Sequence, residues 1–424
     1  MKPVARALVI VWLMMAMSYF YQYLMRSAPG AMLAQLAEGF GLTTLGVTAM
    51  AGMFYFGYSP FSLVAGVALD RFGAREIVPI GAIGIGLGAL LFASGDNEIA
   101  SIGRILQGAG GVIALVSAVH IVTTRFPAAR MATLVGVTQT FGVTGLLASQ
   151  FLVSPSIIGG IPWRAFWIIA GLGGVMIGVI LFLLLQKCDW SAQAAPLGRS
   201  EDWLKNAGQA LGTVFRNPQS ILCGMIAGLL FIPTTIFDLI WGVRYLQEAH
   251  GFDYATAVMH STTVPLGWII GCPLLGAISD RLGRRKPVIL SGAVVLLICL
   301  AWILHGPPDA LPPYVLGLIA GIASGAAILP YTVITEVNPP QLSATAIGAV
   351  NFMNFTFSAL LGPVFGAILS LLEGGPGRFS LENYQTAFAP LPYGVGLAIL
   401  LTLLLKETGP AIRARSPAAV DAQA

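Results

Sequence analysis

An arginine interrupts an apolar run near the start of the chain, Arg26 in SYFYQYLMRSAPG, and an aspartate interrupts another beyond the middle, Asp238 in TTIFDLIWG. Neither side chain belongs in hydrocarbon, so each is a functional candidate. A guanidinium in a dry site is a planar, permanently charged fork suited to a carboxylate, sulfonate or phosphate. A carboxylate can neutralise that charge or carry a proton. Helical spacing puts Tyr23, Gln22 and Tyr19 on the face of Arg26, and Trp241 one turn after Asp238. Gln139, Asn351 and Asn354 supply amides in other apolar runs, and Tyr55, Tyr58 and Tyr331 supply hydroxyls. His120 stands alone in a further run and could titrate. Each has a plainer reading: an Arg26–Asp238 pair that only holds two parts together, amides as interhelical glue, tyrosines as packing, a capped histidine.

These residues need elements to position them, and the composition says which. Of 424 residues 56% are hydrophobic and only 9% charged, with 51 glycines, and the mean hydropathy is +0.83. A soluble domain carries about 25% charged residues, so the solvent must be largely lipid. Apolar stretches long enough to cross a bilayer recur from 7–36 to 386–406 and number twelve, giving an all-α polytopic membrane protein. Small residues suit close helix packing there. The first and seventh stretches should kink near Pro29 and Pro233. Cys188, Cys223, Cys272 and Cys299 are scattered, which argues against disulfides or a metal site.

Lysine and arginine concentrate in alternate loops, which predicts both termini on the cytoplasmic side of the membrane. Residues 187–218 are polar and read as a linker between two six-helix bundles, 1–186 and 219–424, with an amphipathic helix over Glu201 to Phe215.

A shift of about 210 residues superimposes landmarks. GVALDRFGAR (66–75) falls on GAISDRLGRR (276–285), and ATLVG (132–136) on ATAIG (344–348). The same shift carries Arg26 onto Asp238, Gln139 onto Asn351, and Arg125 onto Glu336, so the polar positions should converge on one central volume.

The duplicated G-x3-D-R-x-G-x-R loop resembles the signature of the major facilitator superfamily, and RILQGAGG (104–111) resembles its fourth-helix motif. The resemblance covers the whole chain. It implies two pseudo-symmetric bundles that rock around a cargo site at mid-membrane. Asp70, Arg71 and Arg75, with Asp280, Arg281, Arg285 and Glu336, would then form gating latches against neighbouring helix ends. Tyr23 with Arg26 resembles the Y-x-D-R of the anion:cation symporter branch, and the chain is similar to sulfoacetate and organic-acid permeases of proteobacteria. Tyr58, Gln139, Asn351 and Asn354 fall where that branch binds cargo. Two carboxylates of the branch are missing: Met25 stands before Arg26, and Gly111 stands two turns after Arg104. That leaves Asp238, or His120, to carry a coupling proton.

The expectation is a secondary transporter of a small organic anion by proton symport, monomeric, with no cofactor and no nucleic-acid partner. A facing cation and anion would equally grip a zwitterion such as an amino acid or dipeptide. Drug efflux fits less well, because TQTFGVTGLLAS (138–149) lacks the proline of the exporters' fifth-helix motif. A receptor on a transporter scaffold is the alternative from another class. No nucleophile constellation or Walker loop suggests an enzyme.

Overall fold

The structure, a computed structural model, describes residues 3–186, 203–306, 312–372 and 379–413. Twelve helices are long and apolar enough to cross a membrane. They are α1 Ala7–Ala31, α2 Gly46–Phe72, α3 Ala74–Phe92, α4 Asn97–Arg125, α5 Ala128–Ile158, α6 Trp163–Gln186, α7 Pro218–Thr235, α8 Tyr254–Leu282, α9 Lys286–His305, α10 Pro313–Glu336, α11 Pro340–Leu371 and α12 Leu381–Leu404. The predicted linker helix is present as Trp203–Arg216. Residues 187–202, which hold the start of the predicted linker, lie outside the described set.

Packing divides the chain into two units. The first comprises Met1–Phe126, Phe141–Asn217 and Asn338–Phe352; the second comprises Pro127–Thr140, Pro218–Val337 and Met353–Ala424. Each therefore includes the opening turns of one helix, α11 or α5, whose remainder groups elsewhere.

Four helices begin on a polar residue of their own. Thr43 caps the helix of α2 at Gly46 N (3.1 Å), Asp96 caps α4 at Glu98 and Ile99 N, Asp253 caps α8 at Thr256 N (2.9 Å), and Ser380 caps α12 at Asn383 N (3.2 Å). Within each unit, glycine lets helices meet backbone to backbone. A Cβ on Gly57 would strike the carbonyl of Ile105, and one on Gly108 that of Phe54. In the second unit Gly267 faces Leu318 O in the same way, and Gly321 faces Val264 O. The duplicated sequence thus builds the same α2–α4 seam again as α8–α10. Such seams suit a bilayer, where lipid tails offer no hydrophobic drive for helices to associate.

Both proline sites shape their helices, though not by a simple kink. Pro29 sits inside an unbroken helix, and the break falls after it at Met32, whose φ is −137°. Beyond Pro233 the seventh span continues as a π-helical stretch, Pro233–Gly242. A proline with no N–H cannot close the usual ladder, and π-helical turns recur at functional sites.

Candidate functional site

In the first unit, Arg26 points its guanidinium at two aromatic rings. Its Cζ lies 4.9 Å from the centroid of Tyr23 and 5.1 Å from that of Tyr55. Its Nε donates to the Tyr55 hydroxyl at 3.2 Å. Tyr19 packs edge-on against Tyr23 at 5.0 Å, and Tyr58 is fully buried against Phe54. Tyr55 is 39% exposed, and Arg26 is half-buried beside it. Of the predicted residues, Arg26, Tyr19, Tyr23, Tyr55 and Tyr58 therefore share one wall of the unit.

A second arginine stands beside it. Arg104 on α4 is 1% exposed and meets backbone instead of a carboxylate. Nη1 donates to Met25 O at 3.0 Å and Gln107 Oε1 at 2.6 Å; Nη2 donates to Arg26 O at 3.1 Å and Ala51 O at 3.2 Å. Pro29 explains why Met25 O is available, because the N–H that would bond it four residues on does not exist. The Met25 side chain is wholly buried in an apolar cluster with Met32, Phe92 and Trp167. At the other missing carboxylate, a Cβ on Gly111 would lie 2.7 Å from Gln22 Cγ. The buried amide of Gln22 fills the space an acid there would need. The described acids of this unit, Glu38, Asp70, Glu76, Asp96 and Glu98, all sit near helix ends. Among the described residues, the mid-helix charges of this unit's spans are Arg26 and Arg104.

The remaining predicted residues divide between the units. In the first, Asn351 Nδ2 donates to Ser62 Oγ at 2.7 Å, which ties α11 to α2. In the second, Asn354 Nδ2 donates to Tyr331 OH at 3.1 Å. Gln139 is buried there at 3% exposure. Trp241 packs edge-on to Phe388 and under Arg244, within an aromatic cluster around Phe237 and Tyr245. Asp238 lies on the π-helical stretch, and its side chain is outside the described residues. The second unit also holds an open apolar groove, lined by Phe237, Leu300 and Trp302 among others. It contains none of the predicted cargo residues.

The two repeated motifs turn out to be partners. In the first unit Asp70 caps the start of the α11 helix: Oδ1 accepts Ala344 N at 2.9 Å, and Oδ2 accepts Thr345 N at 2.7 Å and Thr345 Oγ1 at 2.6 Å. In the second, Asp280 caps α5: Oδ1 accepts Ala132 N at 3.2 Å, and Oδ2 accepts Thr133 N at 2.8 Å and Thr133 Oγ1 at 2.7 Å. The glycine one turn before each aspartate permits the approach, since a Cβ on Gly66 or Gly276 would meet the carbonyl of Ala344 or Ala132. A carboxylate at a helix N-terminus satisfies orphan N–H groups and the positive end of the dipole. The glycine after each D-R-x adopts a positive φ, 82° at Gly73 and 62° at Gly283, so the chain can turn sharply into the next helix.

The two caps differ in their cations. Arg285, fully buried, donates Nη1 to Asp280 Oδ1 at 2.6 Å and Nη2 to Glu336 Oε1 at 3.0 Å. Glu336 thus joins the network as the sequence suggested. Arg75, its counterpart in the first unit, is exposed. The position matching Glu336 there is Arg125, a cation where the second unit has a carboxylate. Arg281 is exposed and Arg71 half-buried. Sequence reasoning missed Glu407. Its Oε1 accepts the backbone N–H groups of Arg285 (2.7 Å) and Lys286 (3.1 Å), and its Oε2 pairs with Arg284 at 3.2 Å. Nothing in the local sequence marks it.

Twelve helices long and apolar enough to span, with a duplicated, glycine-seamed and mutually capped loop, define a secondary transporter scaffold. The chain belongs to the Major Facilitator Superfamily, whose profile matches residues 15–363. It is 23% identical to the membrane sensor protein UhpC of Salmonella typhimurium, covering 93% of this chain and 90% of that protein. It is 26% identical to the hexuronate transporter of Bacillus subtilis, covering 66% of each, and 23% identical to the probable sulfoacetate transporter SauU of Cupriavidus necator, covering 68% of each. Among solved structures, the fucose:proton symporter FucP of E. coli superimposes with a TM-score of 0.74 at 15% identity, over 94% of this chain and 99% of that one. At that identity the likeness speaks for the fold alone.

Proposed function

We propose that this transporter moves a small organic anion, a carboxylate or sulfonate, together with a proton. The observation that carries the reading is the pair of arginines in the first unit. Arg26 and Arg104 lie close enough for Arg104 to reach the carbonyl of Arg26. Two guanidinium groups side by side in a low-dielectric site favour an anionic ligand. Arg26 is the group suited to clamp it, held against the rings of Tyr23 and Tyr55 with its Nε on the Tyr55 hydroxyl. Tyr23 and Tyr58 complete that wall, with Gln139, Asp238, Trp241, Asn351 and Asn354 as further cargo contacts. Relatives named for hexuronate and sulfoacetate, both anions, support this chemistry.

In this reading the halves 1–186 and 219–424 rock about the cargo, and Asp70, Arg71, Arg75, Asp280, Arg281, Arg285 and Glu336 gate one end. The energy comes from an ion gradient without a cofactor, and the monomer works in a bacterial inner membrane with both termini cytoplasmic. Asp238 and His120 are the proton carriers. The test is uptake into proteoliposomes of labelled hexuronate, sulfoacetate and an amino acid under an inward proton gradient. Saturable uptake of an anion that disappears in Arg26→Ala supports the reading; preference for the zwitterion overturns it. The relatives named as sensors favour a second reading, a receptor on this scaffold. Anion binding without uptake of any of these compounds would select it.

A further inference from the structure

Superposing the two caps by their chemistry shows one substitution that matters. In both, Oδ2 of the aspartate takes an N–H and a hydroxyl from threonine, and Oδ1 takes the N–H of the preceding alanine. In the second unit Oδ1 also takes Arg285. In the first, the group facing Oδ1 is the imidazole of His120, with Nδ1 at 4.0 Å. His120 is 5% exposed, and neither of its ring nitrogens has a hydrogen-bond partner among the described residues. The matching stretch of α10, residues 329–336, holds no histidine, and the second unit takes its cation from Arg285 in the turn before α9.

The geometry points to the His120–Asp70 pair as a proton-binding site that locks the α2–α11 cap. With a proton on Nδ1, the pair is an imidazolium–carboxylate equivalent of Arg285–Asp280, and the carboxylate holds the α11 N-terminus with its charge matched. Without the proton, Asp70 keeps a buried charge held by the N–H groups and hydroxyl of a helix end. A buried carboxylate lacking a counter-charge gains by reaching water, so the cap loosens. The sign follows from the histidine: the lock is complete when the imidazole is charged and is lost as pH rises through its titration. The surrounding charges are few. α5, through Ala128–Arg130, groups with the other unit; α4 itself brings Arg125, whose positive charge opposes protonation of the ring, and the helix Trp203–Arg216, packed on α2, brings Lys205 and Arg216, both exposed. The first turn of α3 brings Arg75 and Glu76, both exposed. The first turn of α11 brings only hydroxyls, with Ser343 bonded to Thr123 at 3.0 Å.

This inference takes from the reading above only that a proton is the coupling ion; it does not depend on the cargo. The test therefore uses cargo-free full-length protein in lipid nanodiscs. Spin labels are placed at Glu76→Cys and Gln341→Cys, two exposed positions on either side of the cap, in a background with the native cysteines replaced by alanine. Raising the pH from about 5 to about 8 should lengthen the label distance by about one helical turn, roughly 5 Å. His120→Gln should remove the pH response. His120→Arg should stay at the short distance throughout, because an arginine keeps its charge over this range. A shift of equal size and midpoint in His120→Gln, or an opening of His120→Arg at high pH, would overturn the assignment. Neither result would bear on anion uptake through Arg26, which is measured separately.

Discussion

The Nε of Arg26 rests 3.2 Å from the hydroxyl of Tyr55, and the same guanidinium stacks over that tyrosine's ring. One contact is directional and the other is not, so they separate by substitution. Tyr55→Phe keeps the ring and loses the bond, at a cost of about 1 kcal/mol. Anion binding should weaken about threefold to tenfold by ligand-induced thermal stabilisation. Arg26→Lys loses both the fork and the stacking and should weaken binding more than tenfold.

Arg285 bridges two buried carboxylates. Removing one partner of a buried ion pair costs about 3–5 kcal/mol, whereas replacing the whole group by apolar residues can be nearly neutral. Glu336→Ala should lower the unfolding midpoint in detergent more than Arg285→Met combined with Glu336→Leu and Asp280→Asn. Equal losses in the two variants would show that the network carries little of the stability.

Gly111 and Gln22 form a complementary pair. Gly111→Glu should express poorly and aggregate, because Gln22 fills the space. Gln22→Ala in the same chain should restore a monodisperse protein. Overpacking of this kind costs about 1–3 kcal/mol, enough to read by size exclusion and thermal unfolding.

Beyond the seventh span, burial alone would push the Glu248 carboxyl up. Hydrogen bonds from Arg244 (2.7 Å), the Tyr384 hydroxyl (2.8 Å) and Phe379 N (3.1 Å), with the Arg244 charge, hold it below the usual carboxylate range instead. A depressed carboxylate stabilises the fold above its unfolded-state pKa and loses that contribution as pH falls through the folded value. Thermal stability should therefore decline in acid, and Glu248→Gln should flatten that decline. An unchanged acid limb would assign the decline to other carboxylates.

Much of the architecture was legible because it is periodic or duplicated. The twelve spans follow from hydropathy, and the linker helix from its amphipathic pattern. Pro29 and Pro233 were legible as disturbances but not in kind: a missing N–H predicts a broken ladder, not whether a helix continues, breaks three residues on, or widens. The repeated loops read as anchors for helix ends, whereas ATAIG and ATLVG read only as landmarks. Their role as the capped ends was hidden because Asp70 and Thr345 are far apart in sequence, and no local pattern couples them. Arg104 was recognised as a motif residue, but its carbonyl partners carry no sequence signature. Ser62 and Glu407 were invisible for the same reason: each acts through a single contact with a distant element.

The glycine seams carry a consequence for any attempt to select new substrates. In a randomised library, changes at Gly57, Gly108, Gly267 and Gly321 would disappear from the survivors whichever compound was supplied, because the obstacle is a neighbouring backbone that cannot rotate away. Changes at Tyr23 and Tyr55 would rise and fall with the compound. Sequencing such survivors would divide the membrane core into positions that answer to folding and positions that answer to diet.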